Sequence, residues 1–317
     1  MTKVLLTRPL PDRVRQAAQE RFEVTERSSV LPMTQAEMIA ALQEYDAVLP
    51  TLGDCFDAEV FAACPKIRCR ILANFGVGFN HIDVAAATAA GLAVTNTPGA
   101  VTDATADTAI TLMLMSARRA SEGERLVRAG QWAGWHPTQL LGMHLGGKTV
   151  GIAGMGRIGQ AIARRCHFGF GMKVAYFSRS PKELDFAAER FGSLPDLAGA
   201  VDVLMLAVPG GADTQHLVDA DVLAAMRPSA YLVNIARGNV IDEAALIAAL
   251  RTGQIAGAGL DVYEFEPKVP QALMELENVV LLPHIGTAAL EVREEMGLMS
   301  IENLRAFFAG DPLPNPV

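Results

Sequence analysis

The chain has 317 residues, half of them apolar, and a formal net charge of −8 from 27 basic and 35 acidic side chains. That length suits two domains of roughly 100–200 residues, with enough apolar residues for a core in each. An acidic chain without a basic cluster is a poor partner for nucleic acid or an anionic membrane.

The N-terminal stretch MTKVLLTRPLPDR reads as a short strand broken by prolines, since a signal peptide needs a longer apolar core and a small-residue cleavage site. The most apolar helical stretch, TAITLMLMSA, is too short for a bilayer and ends at Arg118-Arg119. A soluble, cytoplasmic protein is expected. Cys55, Cys64, Cys69 and Cys166 show neither CxxC spacing nor a histidine at metal-ligand spacing. Buried free thiols are therefore expected, and no metal site.

In chain order, KVLLT, DAVLP, IRCRILANF and LAVTN look like strands in the first hundred residues, and TQAEMIAALQE and DAEVFAAC between them have helical periodicity. Next comes a long helical stretch, TDATADTAITLMLMSARR, with Asp103 as a plausible N-cap. The strand series restarts at GKTVGIAGMGRIG and continues through KVAYFS, DVLMLAVP, AYLVNIAR, IAGAGLDV and VVLLPH, which makes six short strands. Each is apolar enough to be covered on both faces. A last helix, AALEVREEMGLMSIENLRAFFAG, closes the chain. Strand–helix–strand repetition predicts an α/β protein of two Rossmann-like domains, each a doubly wound parallel sheet. Residues 1–98 plus 287–317 are expected to form a flavodoxin-like substrate domain, and 99–286 a dinucleotide-binding domain. The active site is expected in the cleft between the two.

Gly154-Met155-Gly156-Arg157-Ile158-Gly159 fits G-x-G-x-x-G, with a β-prone run before it and the helical run QAIARRC after it. Gly154 suits the tight turn, Gly156 the approach of backbone N–H groups to a pyrophosphate, and Gly159 close packing of helix on strand. The helix N-terminus adds partial positive charge. Ser178 stands 19 residues after Gly159, about where a ribose-binding acid is usual, yet the segment reads Ser178-Arg179-Ser180. An arginine and two hydroxyls suit a 2′-phosphate, so NADP(H) is expected over NAD(H), with NAD as the weaker alternative.

Three later loops each follow a predicted strand and each carry one polar group: Arg237, Glu266 and His284. Taken singly, each has a bland explanation. Arg237 could pair with Asp242 or Glu243, Glu266 could be an exposed turn residue, and His284 a structural histidine. Strand carboxyl ends face the ligand crevice in a doubly wound sheet, so together they form a candidate catalytic set. Val208, Pro209, Thr214, Ile235 and Gly286 are further candidate cofactor contacts.

Across essentially its whole length the sequence resembles the D-isomer-specific 2-hydroxyacid dehydrogenases, and among them the glyoxylate/hydroxypyruvate reductases. The segments that carry the resemblance are NFGVGFNHID, TNTPGAVTDATAD, GKTVGIAGMGRIGQAIARR, NIARGNVIDEAAL, GLDVYEFEP and LPHIGTA. The resemblance makes Arg237, Glu266 and His284 the catalytic residues and gives Asp261 the task of orienting the nicotinamide amide. It places Thr105 near the nicotinamide, and Val77 and Gly78 in the loop whose N–H groups hold the substrate carboxylate. Leu52 would line a compact pocket with Trp135, which would reach it from the partner of a homodimer. The implied reaction is NADPH-dependent reduction of glyoxylate or hydroxypyruvate to the D-2-hydroxy acid, with His284 as proton donor.

Two rivals stay within the family: an NAD-dependent D-2-hydroxyacid or phosphoglycerate dehydrogenase, and a nucleotide-sensing, corepressor-like binding protein. The first usually carries an acid near Ser178 and often a C-terminal regulatory domain, for which 317 residues leave no room. The second needs arms or a tail that the sequence lacks. Glutamate, not glutamine, at position 266 speaks against a formate dehydrogenase.

Overall fold

A computed structural model describes all residues, 1–317. It divides into two compact units, Met1–Val101 with Thr287–Val317, and Thr102–Gly286.

The first unit has five parallel strands in the order β2-β1-β3-β4-β5. They are β1 (Lys3–Leu6), β2 (Glu23–Glu26), β3 (Ala47–Leu49), β4 (Ile71–Ala73) and β5 (Ala93–Thr95). The helices are α1 (Asp12–Gln19), α2 (Gln35–Glu44), α3 (Ala58–Ala62), α4 (Val84–Ala89) and the closing α12 (Leu290–Ala309). Helix starts are written into the sequence. Thr34 and Glu37 form a capping box on α2, while Asp57 and Asp83 accept from the first turns of α3 and α4. Strands β3 and β4 are buried throughout, and Val48 and Leu72 from them join Leu42, Phe56 and Val60 in one apolar cluster. Helix α12 packs against α1 so closely that a Cβ on Gly297 would lie 2.5 Å from the Val14 methyls. Its buried polar residues tie down the loops after the strands: Ser300 Oγ donates to Asn74 O (3.3 Å) and Asn303 Nδ2 to Asn96 O (3.2 Å).

The second unit begins with α5 (Thr102–Ala117) and α6 (Ala120–Arg128). Its seven parallel strands run β12-β11-β10-β9-β6-β7-β8. They are β6 (Thr149–Ala153), β7 (Lys173–Phe177), β8 (Ala188–Arg190), β9 (Val203–Leu206), β10 (Tyr231–Asn234), β11 (Gly257–Leu260) and β12 (Val279–Leu281). Helices α7 (Arg157–Arg164), α8 (Leu194–Ala200), α9 (Ala220–Ala225), α10 (Glu243–Arg251) and α11 (Gln271–Met274) complete the unit. Two apolar clusters, one with Leu204 and Leu232 and one with Ile152 and Val233, cover the sheet. The central strands therefore read as unbroken apolar runs. Strand order reverses between β6 and β9, and such a switch point opens a ligand crevice at the carboxyl ends.

Three expectations need correction. Each sheet has one strand more than expected, and both extra strands are edges: β2, sequence EVTE, and β8, sequence AER, are largely solvated and carry no apolar run. Asp103 does not cap α5. It lies inside the first turn, and its carboxylate meets Arg165 at 2.9 Å. Cys55 is exposed, whereas Cys64, Cys69 and Cys166 are buried. Burial pushes the thiols of Cys69 and Cys166 up to about 12, which leaves them protonated and inert.

Candidate active site

The glycine turn sits at the switch point. Gly154 has φ +98°, and a Cβ there would fall 2.7 Å from the Ala207 carbonyl and Val208 N. Only glycine fits that backbone and that contact. A Cβ on Gly159 would lie 2.1 Å from Gly154 O, so the start of α7 lies directly on the turn. Gly156 differs: a Cβ there would meet nothing within 4 Å. It is the N-cap of α7 and offers no side-chain cap, so the first-turn N–H groups are uncommitted. Arg157 is exposed at the first helical position, and Ile158 is half-buried against the core. Close packing on one side and an open N-terminus on the other suit a pyrophosphate.

Val208 and Pro209 follow β9 beside this turn, and Thr214 closes the next one, its hydroxyl donating to Pro209 O (2.8 Å). Ile235 follows β10 directly, with its side chain in the core. Any cofactor contact it makes would therefore be through backbone.

Arg237, Asp261, Glu266 and His284 come from the ends of β10, β11 and β12. His284 Nδ1 lies 2.8 Å from Glu266 Oε2, which leaves Nε2 without a protein partner. The other Glu266 oxygen accepts from Tyr263 N–H at 2.9 Å. Burial raises the Glu266 pKa, but the bond and charge of His284, the Tyr263 N–H and the Arg237 charge outweigh it, so the net shift is downward. Arg237 forms no ion pair with Asp242 or Glu243, because Asp242 caps α10 by accepting from Ala245 N–H. Its Nη1 donates to Ala236 O (2.6 Å), and burial lowers its pKa against the opposing charge of Glu266. The guanidinium thus keeps most of its donors unspent.

Asp261 is 1% exposed, and its two oxygens accept from the N–H groups of Ile285 and Gly286, each at 2.8 Å. Burial raises its pKa, the two N–H bonds acting against this. The carboxylate pins the loop in which His284 takes φ +55°, a left-handed conformation uncommon for a non-glycine residue. A Cβ on Gly286 would lie 3.2 Å from Asp261 Oδ2 and 3.6 Å from the Thr105 methyl, so these three residues meet.

Sequence reasoning missed further supports. Gly238 packs against the Tyr263–Glu264 backbone, where a Cβ would come within 1.8 Å, locking the Arg237 loop to the Glu266 loop. His216 Nε2 bonds Glu264 Oε1 at 2.7 Å, and the carboxylate raises the imidazole pKa. His216 N–H donates to Asn239 O (2.8 Å). Nothing in the local pattern around His216 signals this.

In the first unit, Val77 and Gly78 lie in the loop after β4. Asn74 Nδ2 donates to Gly76 O and Gly78 O, each at 3.0 Å, and Asn96 Nδ2 to Val77 O (2.9 Å). The carbonyls are engaged while the N–H groups of Val77 and Gly78 donate to no protein group. Such a pair of free donors suits an anion. Leu52 is exposed, on a loop fixed by buried Asp54, which accepts from Thr7 Oγ1 (2.6 Å), Arg8 Nη1 (2.8 Å) and Thr51 N (3.1 Å). Trp135 is 80% exposed, in the stretch between α6 and β6.

After β7, Arg179 is exposed and its side chain makes no hydrogen bond or ion pair. The two hydroxyls are engaged within the turn: Ser178 Oγ donates to Ser180 O (2.6 Å), and Ser180 Oγ accepts from Lys182 Nζ (3.0 Å). Ser180 keeps its own O–H to donate. No carboxylate occupies the ribose position.

A doubly wound domain with a pyrophosphate-shaped turn at its switch point places the chain among the dinucleotide-binding oxidoreductases. The family model for the D-isomer specific 2-hydroxyacid dehydrogenase, NAD binding domain, matches residues 110–286. The chain is 45% identical to a glyoxylate reductase of Thermococcus kodakarensis over 322 residues, covering 99% of this chain and 96% of that protein. The solved structure of an NADPH-dependent glyoxylate/hydroxypyruvate reductase from Sinorhizobium meliloti, in complex with NADP and malonate, matches with a TM-score of 0.88 and 39% identity, covering 100% of this chain and 96% of that one. D-mandelate dehydrogenase from Rhodotorula graminis matches with a TM-score of 0.86 and 32% identity, covering 100% and 97%. The chain belongs to the D-isomer specific 2-hydroxyacid dehydrogenase family, and within it is similar to the glyoxylate reductases. No helix is long and apolar enough to cross a membrane.

Proposed function

We propose that this protein reduces a small 2-oxo acid, glyoxylate or hydroxypyruvate, to the D-2-hydroxy acid with NADPH. The observation that carries the reading is the 2.8 Å His284–Glu266 pair, which fixes Nδ1 and leaves Nε2 to donate a proton. The glycine turn fits a dinucleotide by its open Gly156 and uncapped α7. The bound nicotinamide supplies a hydride to the carbonyl carbon.

The chain's own residues do the rest. Protonated His284 donates from Nε2 to the carbonyl oxygen as the C=O electron pair moves onto it, leaving a hydroxyl and a neutral imidazole. Glu266 orients the ring and faces its positive charge. Arg237 grips the substrate carboxylate and stabilises charge developing on the oxygen, helped by a site dry enough to lower its own pKa. The free N–H groups of Val77 and Gly78 remain available to an anion. Asp261 holds the His284 loop by two backbone bonds, and its spare lone pairs are available to the nicotinamide amide.

NADPH is favoured by the unpaired Arg179 and by the absence of an acid near Ser178. A homodimer is supported by α6, which buries none of its residues, and by exposed Val127, Trp132, Trp135 and Leu141 in and after it. Large exposed apolar side chains close together in sequence suit a surface that a partner covers. Trp135 from a second copy would then border the substrate.

A steady-state screen of 2-oxo acids with NADPH and NADH tests the reading. Turnover of glyoxylate or hydroxypyruvate with higher kcat/KM for NADPH is expected. A chain that turns over neither, or that prefers NADH, is not the reductase described.

A further inference from the structure

The turn after β7 carries more positive charge than the motif Ser178-Arg179-Ser180 supplies. Lys182 lies on the same turn, and Arg190 ends the neighbouring edge strand β8. None of Arg179, Lys182 and Arg190 forms an ion pair. Among nearby acids, Asp185 is taken by Arg164. Glu189 adjoins Arg190 on β8, where successive side chains point to opposite faces of the sheet. Glu183 is exposed and bonds to none of the three cations.

Both extra cations are tied to atoms at the proposed phosphate position. Lys182 Nζ donates to Ser180 Oγ at 3.0 Å, so the ammonium stands beside one of the two hydroxyls that would meet a phosphate. The Lys182 backbone N–H donates to the hydroxyl of buried Tyr176 (3.2 Å), which fixes where the lysine stem leaves the turn. Arg190 Nη2 donates to Ser178 O (3.1 Å) and Arg179 O (3.4 Å). In the parallel ladder Arg190 is opposite Tyr176, two residues before Ser178, so its side chain bridges forward to those carbonyls. Carbonyl oxygens carry partial negative charge, and a guanidinium bonded to two of them reverses the local sign. Basic side chains on edge strands also discourage edge-to-edge pairing. Arg190 is set apart from that general use because its Nη2 is bonded to two carbonyls of the turn.

We propose that Lys182 and Arg190 complete the 2′-phosphate subsite: Lys182 as a second cation touching the phosphate, Arg190 as a positioning residue that braces the Ser178–Arg179 turn from the edge strand. The inference rests on the NADPH reading above. A phosphate monoester carries about 1.5 to 2 negative charges at neutral pH, which one arginine only partly balances. Lys182 supplies the second charge, and Arg190 sets the direction in which Arg179 leaves the backbone.

The test uses adenosine 2′,5′-bisphosphate and 5′-AMP, titrated calorimetrically into the full-length wild type and into Lys182→Gln, Arg190→Gln, Arg190→Lys and Arg179→Gln. The wild type is expected to bind the bisphosphate at least about tenfold more tightly than AMP. Lys182→Gln should cut that ratio about three- to tenfold with AMP binding unchanged. Arg190→Gln should cut it to a similar extent, and Arg190→Lys should restore only part, because a lysine Nζ lies one bond nearer the backbone than the Nη2 that reaches both carbonyls. Full restoration by lysine overturns the positioning role, since net charge alone would then suffice. If the wild type binds both probes equally, the NADPH reading and this inference fall together. If it discriminates and Arg179→Gln abolishes the discrimination while Lys182→Gln and Arg190→Gln keep the wild-type ratio, the NADPH reading stands and this inference is overturned.

Discussion

The loops bearing Arg237, Asp261, Glu266 and His284 and the turn bearing Arg179 both sit at strand carboxyl ends of one sheet, yet they are built differently. In the first group the carboxylates and the imidazole are fixed by short bonds: Glu266 by Tyr263 and His284, Asp261 by Ile285 and Gly286. These side chains are buried or half-buried, and a left-handed φ at His284 is imposed by its anchors. In the second group the Arg179 side chain is exposed and its guanidinium has no partner. Proton transfer needs geometry set within fractions of an ångström, so its groups are over-determined. Choosing between two cofactors that differ by one phosphate needs only local charge, and an open turn supplies that at little cost to the fold.

Substitutions in the first group should therefore damage the reaction with either cofactor, and those in the second should alter only the choice. The largest loss is expected for His284→Gln, where kcat for reduction should fall roughly 100- to 10,000-fold while NADPH binding, followed by nucleotide fluorescence, persists. A variant with normal kcat removes His284 from the mechanism. Arg237→Lys comes next. An ammonium keeps the charge and loses the planar fork, so kcat/KM should drop on the order of 100-fold with both cofactors. Recovery of full activity by lysine would contradict a bidentate grip.

Arg179→Ala should be milder and one-sided. A hydrogen bond to a charged group is worth about 1.5–3 kcal/mol, so KM for NADPH should rise about ten- to a hundredfold with KM for NADH nearly unchanged. Ser178→Asp should go further and shift preference towards NADH, by repelling the phosphate and accepting from the ribose hydroxyls. An equal effect on both cofactors in Arg179→Ala would erase the contrast between the two regions.

The smallest expected effect is on stability. Because the Glu266 pKa is lowered in the folded chain, its contribution is present above the ordinary glutamate value and is lost as pH falls through the lowered one. Denaturant unfolding at a series of pH values should show a shallower acid-side loss in Glu266→Gln than in wild type. For His216, raised by Glu264, the sign is opposite: its contribution is present below the ordinary imidazole value and is lost as pH rises through the raised one. That pair is more than a third exposed on the imidazole side, so its effect should be slight.

How much of this was legible in the sequence follows from the same physics. Buried central strands announce themselves as apolar runs, and the glycine turn is legible because glycine alone tolerates its contacts. The edge strands β2 and β8 were not legible, since one solvated strand reads like a loop. Missing β8 also hid Arg190, whose link to Ser178 and Arg179 depends on ladder register. Arg237, Glu266 and His284 were visible as polar groups ending apolar runs. Their supports were not: Gly238 against Tyr263, His216 on Glu264 and Asp261 under the His284 loop join segments far apart in sequence. Asp103 was misjudged as a cap because its pairing with Arg165 spans 62 positions.

The most direct measurement of the central claim is the pH dependence of kcat in both directions, reduction of glyoxylate with NADPH and oxidation of the hydroxy acid with NADP. On the proposed mechanism, reduction consumes the His284 proton and oxidation returns one to the imidazole. Reduction should weaken as pH rises, because it consumes a proton, and oxidation should strengthen, because it releases one. Both limbs should vanish in His284→Gln. Profiles that run the same way in the two directions would contradict the assignment of His284 as the proton donor.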